Sequence, residues 1–445
     1  MKTLSITFKT LCYVKNTYQY NALKPLFTVV PRNVPEPELD IDYLCNLKYK
    51  LEIEENIKRR KGVGNINRVF ELHRKLQNDT LSEENRMDLM KEFKEAAKQI
   101  PNKTCPLVAL YDDSPKVVKV IGNKTKFDFQ PKEFSDIAKM LHLMRTDNLS
   151  NMSGHKSYYF MGELAEMEQA LVWFTVKKLL ASNFQLISVP DILPCQIIES
   201  CGLTVKEDRT QVYMLDDHLY EGDHCLSGTA EMALAGYLMN RELCVTELPL
   251  RLAAVSRCYR AETSRMSEER GIYRVHQFTK VEMFGVTEHD SSAALLEEFR
   301  ELQEETFSSL GLHLQTLDMP PHELGAPAFR KYDIEAWMPG RQMFGEVSSC
   351  SDCTDYQSRR LNIKYQPRDG GSSLHAHTLN GTACAVPRML ISLLETHQQA
   401  DGIVAIPEPL QPYMKGKVVI GFQDNIPEMK FVKSKHKKDI HRDQD

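Results

Sequence analysis

Along residues 41–100 the apolar positions recur at the three- and four-residue spacing of helices. Leu44 to Arg60 carries strong helix formers and no Pro or Gly, and Gly62 and Gly64 break the run. Ile66, Val69, Leu72 and Leu76 then make one apolar stripe. Thr80 and Glu83 suit a capping box for a further helix with Leu89, Met90, Phe93, Ala96, Ala97 and Ile100 on one side, stopped by Pro101. Two helices joined by a few polar residues predict an antiparallel hairpin, a short coiled-coil-like arm.

After Pro106 the pattern changes. Short β-type runs (Lys116–Ile121, Lys126–Phe129) precede a long helix from about Met161 to Ser182. Strands are then expected at Phe184–Val189, Ala253–Glu262, Ile272–Val286, Tyr332–Trp337 and Gln342–Ser349, closed by a helix from about Ala383 to Gln398. Several strands follow one another without a helix between them. That favours an antiparallel sheet with helices packed on it, an α+β domain.

Composition adds limits. At roughly 150 residues per domain, 445 residues allow two or three domains. The chain is 42% apolar and 26% charged, as globular proteins are. Against 61 Asp and Glu stand 56 Lys and Arg, a net −5, so any nucleic acid must be held by a local basic patch. Lys58, Arg59, Arg60 and Lys61 form one such cluster, read either as a solvated face or as phosphate contacts. No apolar stretch is long enough for a membrane-spanning helix, so no membrane partner is expected. Eleven cysteines at scattered spacing argue against a secreted disulfide framework and for reduced thiols.

The first acidic residue is Glu36. Before it, Lys2, Lys9, Lys15, Lys24 and Arg32 alternate with apolar residues, the pattern of a mitochondrial transit peptide over residues 1–34; a ragged cytosolic N-terminus is the other reading. Residues 424–445 are nearly all polar or charged and are expected to form a mobile tail.

Several common sites are missing from the sequence. There is no P-loop, no complete dinucleotide fingerprint at Gly62-Val63-Gly64, no zincin helix at His322-Glu323 and no nucleophile elbow. Cys350-x-x-Cys353 with His375 and His377 downstream does not match zinc-ligand spacing, so no zinc is expected and the pair reads as loop or pocket-wall thiols. What stands out is charge at strand period. Arg260 and Glu262 are two residues apart, and His276, Phe278, Lys280 and Glu282 share one strand face, a pattern that fits either a site or a solvated face. Glu346-Val347-Ser348-Ser349 adds hard oxygen ligands suited to Mg²⁺. Asn380 to Arg388 adds small residues that let backbone and ligand approach, and an arginine. Arginine, carboxylates and an aromatic ring suit a nucleotide held without a P-loop.

These stretches resemble the class II aminoacyl-tRNA synthetases and, within them, the seryl-tRNA synthetases. CYRAETSRMSEERGIYRVHQFTKVEMF (258–284) looks like their motif 2, and LSGTAEMALAG (226–236) like their serine-binding loop. YDIEAWMPGRQMFGEVSSCSDCTDYQSRR (332–360) and HTLNGTACAVPRMLISLLETHQQADG (377–402) look like the motif 3 region. Val189-Pro190, after a long helix and a strand, looks like the dimer-forming motif 1. The Ala385-Val386-Pro387-Arg388 variant is most similar to the mitochondrial branch.

The resemblance implies an antiparallel class II catalytic domain over 105–423 and an N-terminal helical tRNA-binding arm over 35–104, a short one, since 66 to 100 must supply both helices. It implies L-serine and ATP as substrates, Mg²⁺ as cofactor, tRNA(Ser) as partner, a homodimer or a dimer with a paralogue, and the mitochondrial matrix. By motif, Arg260, Glu346 and Arg388 are the expected catalytic residues. Thr229, Ala230, Glu231, Arg260, Glu282 and Thr382 are expected around serine. Arg260, Ala261, Glu262, Arg274, Phe278, Glu346, Val347, Ser348, Ser349 and Arg388 are expected around ATP, with Phe278 and Arg388 sandwiching adenine. Glu346 and Ser349 are expected to ligate Mg²⁺, and Lys58, Arg59, Arg60 and Lys61 to contact tRNA. The alternative is a catalytically silent paralogue that binds tRNA or a partner protein.

Overall fold

The computed structural model describes residues 34–78, 81–146, 153–205, 210–216, 223–262 and 271–424. The expected leader (except Val34), Thr80, the loop Ser264–Glu269 and the tail beyond Asp424 lie outside the described residues.

After a short helix at Ile41–Leu44 come three longer ones: α1 (Lys50–Arg59), α2 (Ile66–Leu76) and α3 (Glu83–Lys98). Asn65 caps α2 by accepting from the Arg68 N–H at 3.1 Å. Ser82, one residue before Glu83, caps α3 by accepting from the Asn85 N–H, the position that Thr80 was expected to hold. α2 and α3 run antiparallel. Arg68 pairs with Glu92 at 2.6 Å, and Arg86 near the start of α3 donates to the Leu76 carbonyl at the end of α2. The stripe Ile66, Val69, Leu72 and Leu76 is buried against Phe93, Ala97 and Ile100 in a core of its own, whereas Met90 points outward. Gly64 lies at φ +99° with the Gln99 carbonyl 2.9 Å from where a Cβ would stand, so only glycine fits this turn.

The elements that frame the larger body follow in order. They are β1 (Lys116–Ile121), α4 (Gly162–Ala181), β2 (Gln185–Leu186), β3 (Ile192–Pro194), α5 (Cys195–Ser200), β4 (Tyr213–Met214), β5 (His224–Leu226), α6 (Ala230–Tyr237), β6 (Leu250–Tyr259) and β7 (Gln277–Thr287). Next come α7 (Ser292–Ser308), β8 (Leu314–Asp318), β9 (Arg330–Met338), β10 (Met343–Asp352), β11 (His377–Ala385) and α8 (Val386–His397). Eight strands make one sheet in the order β1-β8-β9-β10-β11-β7-β6-β2. Every neighbouring pair is antiparallel except β2 with β6. Helices α4, α7 and α8 bury Leu171, Phe299 and Leu390 in the main core with Met283 and Ile334 of the sheet.

Several expectations are corrected. Residues 126–129 form no strand, and the Phe127 and Phe129 rings contact each other instead. The first expected strand of motif 2 ends at Tyr259, so Arg260 and Glu262 lie beyond it. α7 and β11 are additional elements. β11 is central, and its Thr378, Asn380 and Thr382 alternate with Leu379, Gly381 and Ala383. Gly381 in β11 is packed so closely that an added Cβ would stand 3.0 Å from Met283 and Phe299. Cys195 and Cys225 form a disulfide between the start of α5 and β5, where reduced thiols were expected. The two segments are paired by the β3–β5 ladder, which brings the sulfurs together.

Candidate active site

A cavity of about 540 Å³ opens on the sheet face formed by β6, β7, β11, β10 and β9. The strand period decides what β7 contributes. Phe278, Lys280 and Glu282 point into the cavity, while Val281 and Met283 are buried in the main core.

At one end stand the groups suited to a nucleotide. After β6 the chain bends, and the Arg260 N–H donates to the His276 carbonyl at 2.8 Å. The Arg260 guanidinium lies 5.4 Å from the Phe278 ring centroid. Glu262 is buried, 3.7 Å from the Arg274 guanidinium, and takes a long hydrogen bond from Gln211. Arg388, in the first turn of α8, donates through Nη1 to the Glu346 carboxylate and carbonyl, each at 3.1 Å, and stacks 4.5 Å from the Tyr273 ring centroid. Enclosure alone would raise the Glu346 pKa; the charges of Arg388 and Lys331 outweigh it and hold the carboxyl well below the usual range.

The other end is small and polar. Thr229 caps α6 by accepting from the Glu231 N–H, and Ser227 Oγ donates to the Thr229 carbonyl at 2.6 Å, so the turn before α6 is fixed. Glu231 Oε1 accepts from Gln357 Nε2 at 2.6 Å and Asn380 Nδ2 at 2.8 Å. Enclosure and then the Glu282 charge push the Glu231 carboxyl up to about 7. Glu282 is 2% exposed, faces Thr382 across the β7–β11 ladder, and lies 2.5 Å from Lys280 Nζ.

Of the serine set, Thr229, Glu231, Arg260, Glu282 and Thr382 line this one cavity, whereas the Ala230 side chain is buried in the core beneath α6. Of the ATP set, Arg260, Glu262, Arg274, Phe278, Glu346, Val347, Ser348, Ser349 and Arg388 line it and Ala261 does not; its N–H donates to the Gln211 carbonyl. Gln211, Tyr273, Lys331, Gln357 and Asn380 belong to the site and were not assigned from sequence. Tyr273, Gln357 and Asn380 stood in quoted motifs, but Gln211 carries no local signal. Cys353 lines the cavity and Cys350 is buried in β10, while His375 pairs with Glu38 and His377 meets Ser292.

The basic cluster divides. Arg60 is 4% exposed, and its guanidinium donates to the Asn102, Gly325 and Ala326 carbonyls; Arg59 donates to Ala109 and Tyr111. Both are spent on backbone oxygens and are removed from the expected phosphate patch. Lys58 and Lys61 are exposed, and Lys61 reaches the rim of the cavity.

Residues 213–397 match the class II core domain of tRNA synthetases for G, H, P, S and T. The mitochondrial serine–tRNA ligase of Bos taurus is 50% identical over 329 residues, covering 73% of this chain and 63% of that protein. The chain thus spans somewhat less than two thirds of that relative. The serine–tRNA ligase of Rubrobacter xylanophilus is 41% identical, covering 73% of this chain and 76% of its own length. The cytoplasmic serine–tRNA ligase of Naegleria fowleri, solved with AMP, superposes with a TM-score of 0.77 at 27% identity, covering 87% of this chain and 99% of that one. With the sheet and its cavity, these likenesses mean that the chain belongs to the seryl-tRNA synthetase family of class II aminoacyl-tRNA synthetases.

Proposed function

We propose that this chain activates L-serine with ATP and transfers the seryl group to the 3′ end of tRNA(Ser). One observation carries the reading. Arg260, Phe278, Glu346 and Arg388 converge with Thr229, Glu231, Glu282 and Thr382 on a single cavity, large enough for a nucleotide beside a small amino acid.

In this reading Phe278 and Arg388 hold adenine between them, Glu262 lies at its outer edge, and Arg274 holds the outer phosphates. The Thr229-Ala230-Glu231 turn holds the serine ammonium, with Glu231 as its counter-ion. Glu282 and Thr382 take the hydroxyl. Arg260 spans the serine carboxylate and the α-phosphate. The carboxylate oxygen attacks the α-phosphorus, the bond to the bridging oxygen breaks, and diphosphate leaves. Because that carboxylate is already anionic, no strong base is needed, and the chain acts by positioning and by meeting the developing charge with arginine. A ribose hydroxyl of the tRNA then attacks the acyl carbon, and AMP leaves with the hydroxyl proton. Alanine would leave the lone pairs that Glu282 and Thr382 turn to the hydroxyl unmatched, which rejects it.

The residues fit a Mg²⁺ shared with phosphates. Glu346 is held anionic and Ser349 of β10 lines the same cavity, while no cluster of three or more His, Cys, Asp or Glu suited to a metal is found among the described residues. Such an ion supplies charge neutralisation on the phosphates.

Residues 35–104 serve as a short tRNA-binding arm on a catalytic domain at 105–423, with Lys58 and Lys61 as its remaining cationic contacts. Exposed Trp173 and Leu180 on α4 and Leu186 on β2 support a dimer through the motif 1 face. The bovine relative's name and the basic residues before Glu36 support action in the mitochondrial matrix, with residues 1–34 as leader and 424–445 as tail.

Pyrophosphate exchange into ATP tests the reading. Serine should support exchange, and threonine, glycine and alanine should not. A folded chain without serine-dependent exchange would instead be the silent paralogue.

A further inference from the structure

The amino-acid end of the cavity presents two recessed carboxylates to a substrate that brings one ammonium. They are not equivalent. Glu231, on α6, is met by neutral donors only at its Oε1, Gln357 and Asn380. Glu282, on β7, arrives with a cation of its own, the Lys280 ammonium at 2.5 Å. Lys280 is 5% exposed and lines the cavity. It can stand there because residues two apart on a strand share a face and because its β6 neighbour is the small Ser256.

We propose that Lys280 is a specificity-determining residue that reserves Glu282 for the substrate hydroxyl and directs the substrate ammonium to Glu231. The inference rests on the serine reading above and deepens it. A carboxylate already paired with Lys280 keeps lone pairs for a neutral O–H donor. A second ammonium arriving there meets the Lys280 charge in an enclosed, water-poor site, where like charges repel strongly. Among the described residues, Cys258 on β6 and Glu231 on α6 feel the Lys280 charge, and Glu282 also feels Arg260 after β6. None is a cation close enough to Glu282 to form an ion pair, whereas Lys280 is. Lys280 therefore does two things at once. It keeps serine from binding with its ends exchanged, and it excludes amino acids with a cationic side chain of serine's size.

L-2,3-Diaminopropionate, in which an amino group replaces the serine hydroxyl, is the probe. In the wild type it should support no pyrophosphate exchange and should inhibit serine exchange more weakly than alanine does. Lys280→Met should raise the serine KM at least tenfold with a smaller change in kcat. It should also gain diaminopropionate-dependent exchange, as the substrate's side-chain ammonium takes the place of Nζ. Lys280→Arg, which keeps the charge, should stay closed to the diamine and recover part of the serine KM lost in Lys280→Met.

A Lys280→Met enzyme with wild-type serine KM and no diamine activity would overturn the proposal. So would a wild type inhibited more strongly by diaminopropionate than by alanine, a comparison that needs no variant to fold. Absence of serine exchange in the wild type would instead sink the serine reading, and this inference with it.

Discussion

Acid should weaken serine capture through one carboxyl group. Glu231 is pushed up to about 7, first by enclosure in the pocket and then by the Glu282 charge, against the donors Gln357 and Asn380 and the Lys280 charge. In the proposed reaction it must be ionised to hold the serine ammonium, so the binding-competent form is lost as pH falls through about 7. With that value the ionised fraction is about 0.9 at pH 8 and about 0.09 at pH 6. Serine kcat/KM should therefore fall about tenfold over this interval, equivalent to about 1.4 kcal/mol. The kcat should change less, because bound serine keeps the carboxylate ionised. The assay is serine-dependent pyrophosphate exchange at saturating ATP from pH 5.5 to 8.5. Two substitutions give the limb a signature. Gln357→Met removes a hydrogen bond to the carboxylate and should move the limb to higher pH. Glu282→Gln removes the repelling charge and should move it lower. A kcat/KM that stays flat down to pH 5.5, or a limb that neither substitution moves, would refute the assignment.

Other outcomes follow from the same contacts. Arg260→Ala should reduce exchange by at least about a hundredfold while leaving cooperative thermal unfolding in place, since the guanidinium faces the cavity; loss of folding would contradict its placement. Arg60→Met should cost about 2–4 kcal/mol in denaturant unfolding, because it strips buried carbonyls of a charged donor. Lys58→Ala and Lys61→Ala should leave stability unchanged and weaken tRNA binding with a shallower salt dependence, and unchanged affinity would return both to a solvated face. Thiol titration of the denatured chain should find two more thiols after reduction than before, from the Cys195–Cys225 disulfide; equal counts would show that pair to be free.

The sheet illustrates what a one-dimensional pattern can carry. Strand alternation alone puts Phe278, Lys280 and Glu282 on one face, and the structure keeps them there. The same rule misplaces Arg260 and Glu262, because the strand stops at Tyr259 and the chain turns toward His276 and Gln211. β11 obeys it, with Asn380 and Thr382 on the cavity and Leu379 and Ala383 in the main core. The cluster at Lys58 to Lys61 reads as uniform charge, yet Arg60 meets carbonyls of the loop after β8, and Lys61 turns to the cavity rim.

By itself, the sequence determined the helical start, the strand-rich body, the family through its motifs, and most of the charged and aromatic residues at the site. These depend on spacing within one segment, which the backbone periods of helix and strand translate directly into a shared face. Tertiary structure alone decided that Glu231 would rest on Gln357 and Asn380, that Lys280 rather than a substrate would neutralise Glu282, and that two of four basic residues would spend their guanidinium groups on backbone carbonyls. Such pairings join segments far apart in the chain, and their distances follow from strand order and helix packing, to which no local spacing is sensitive.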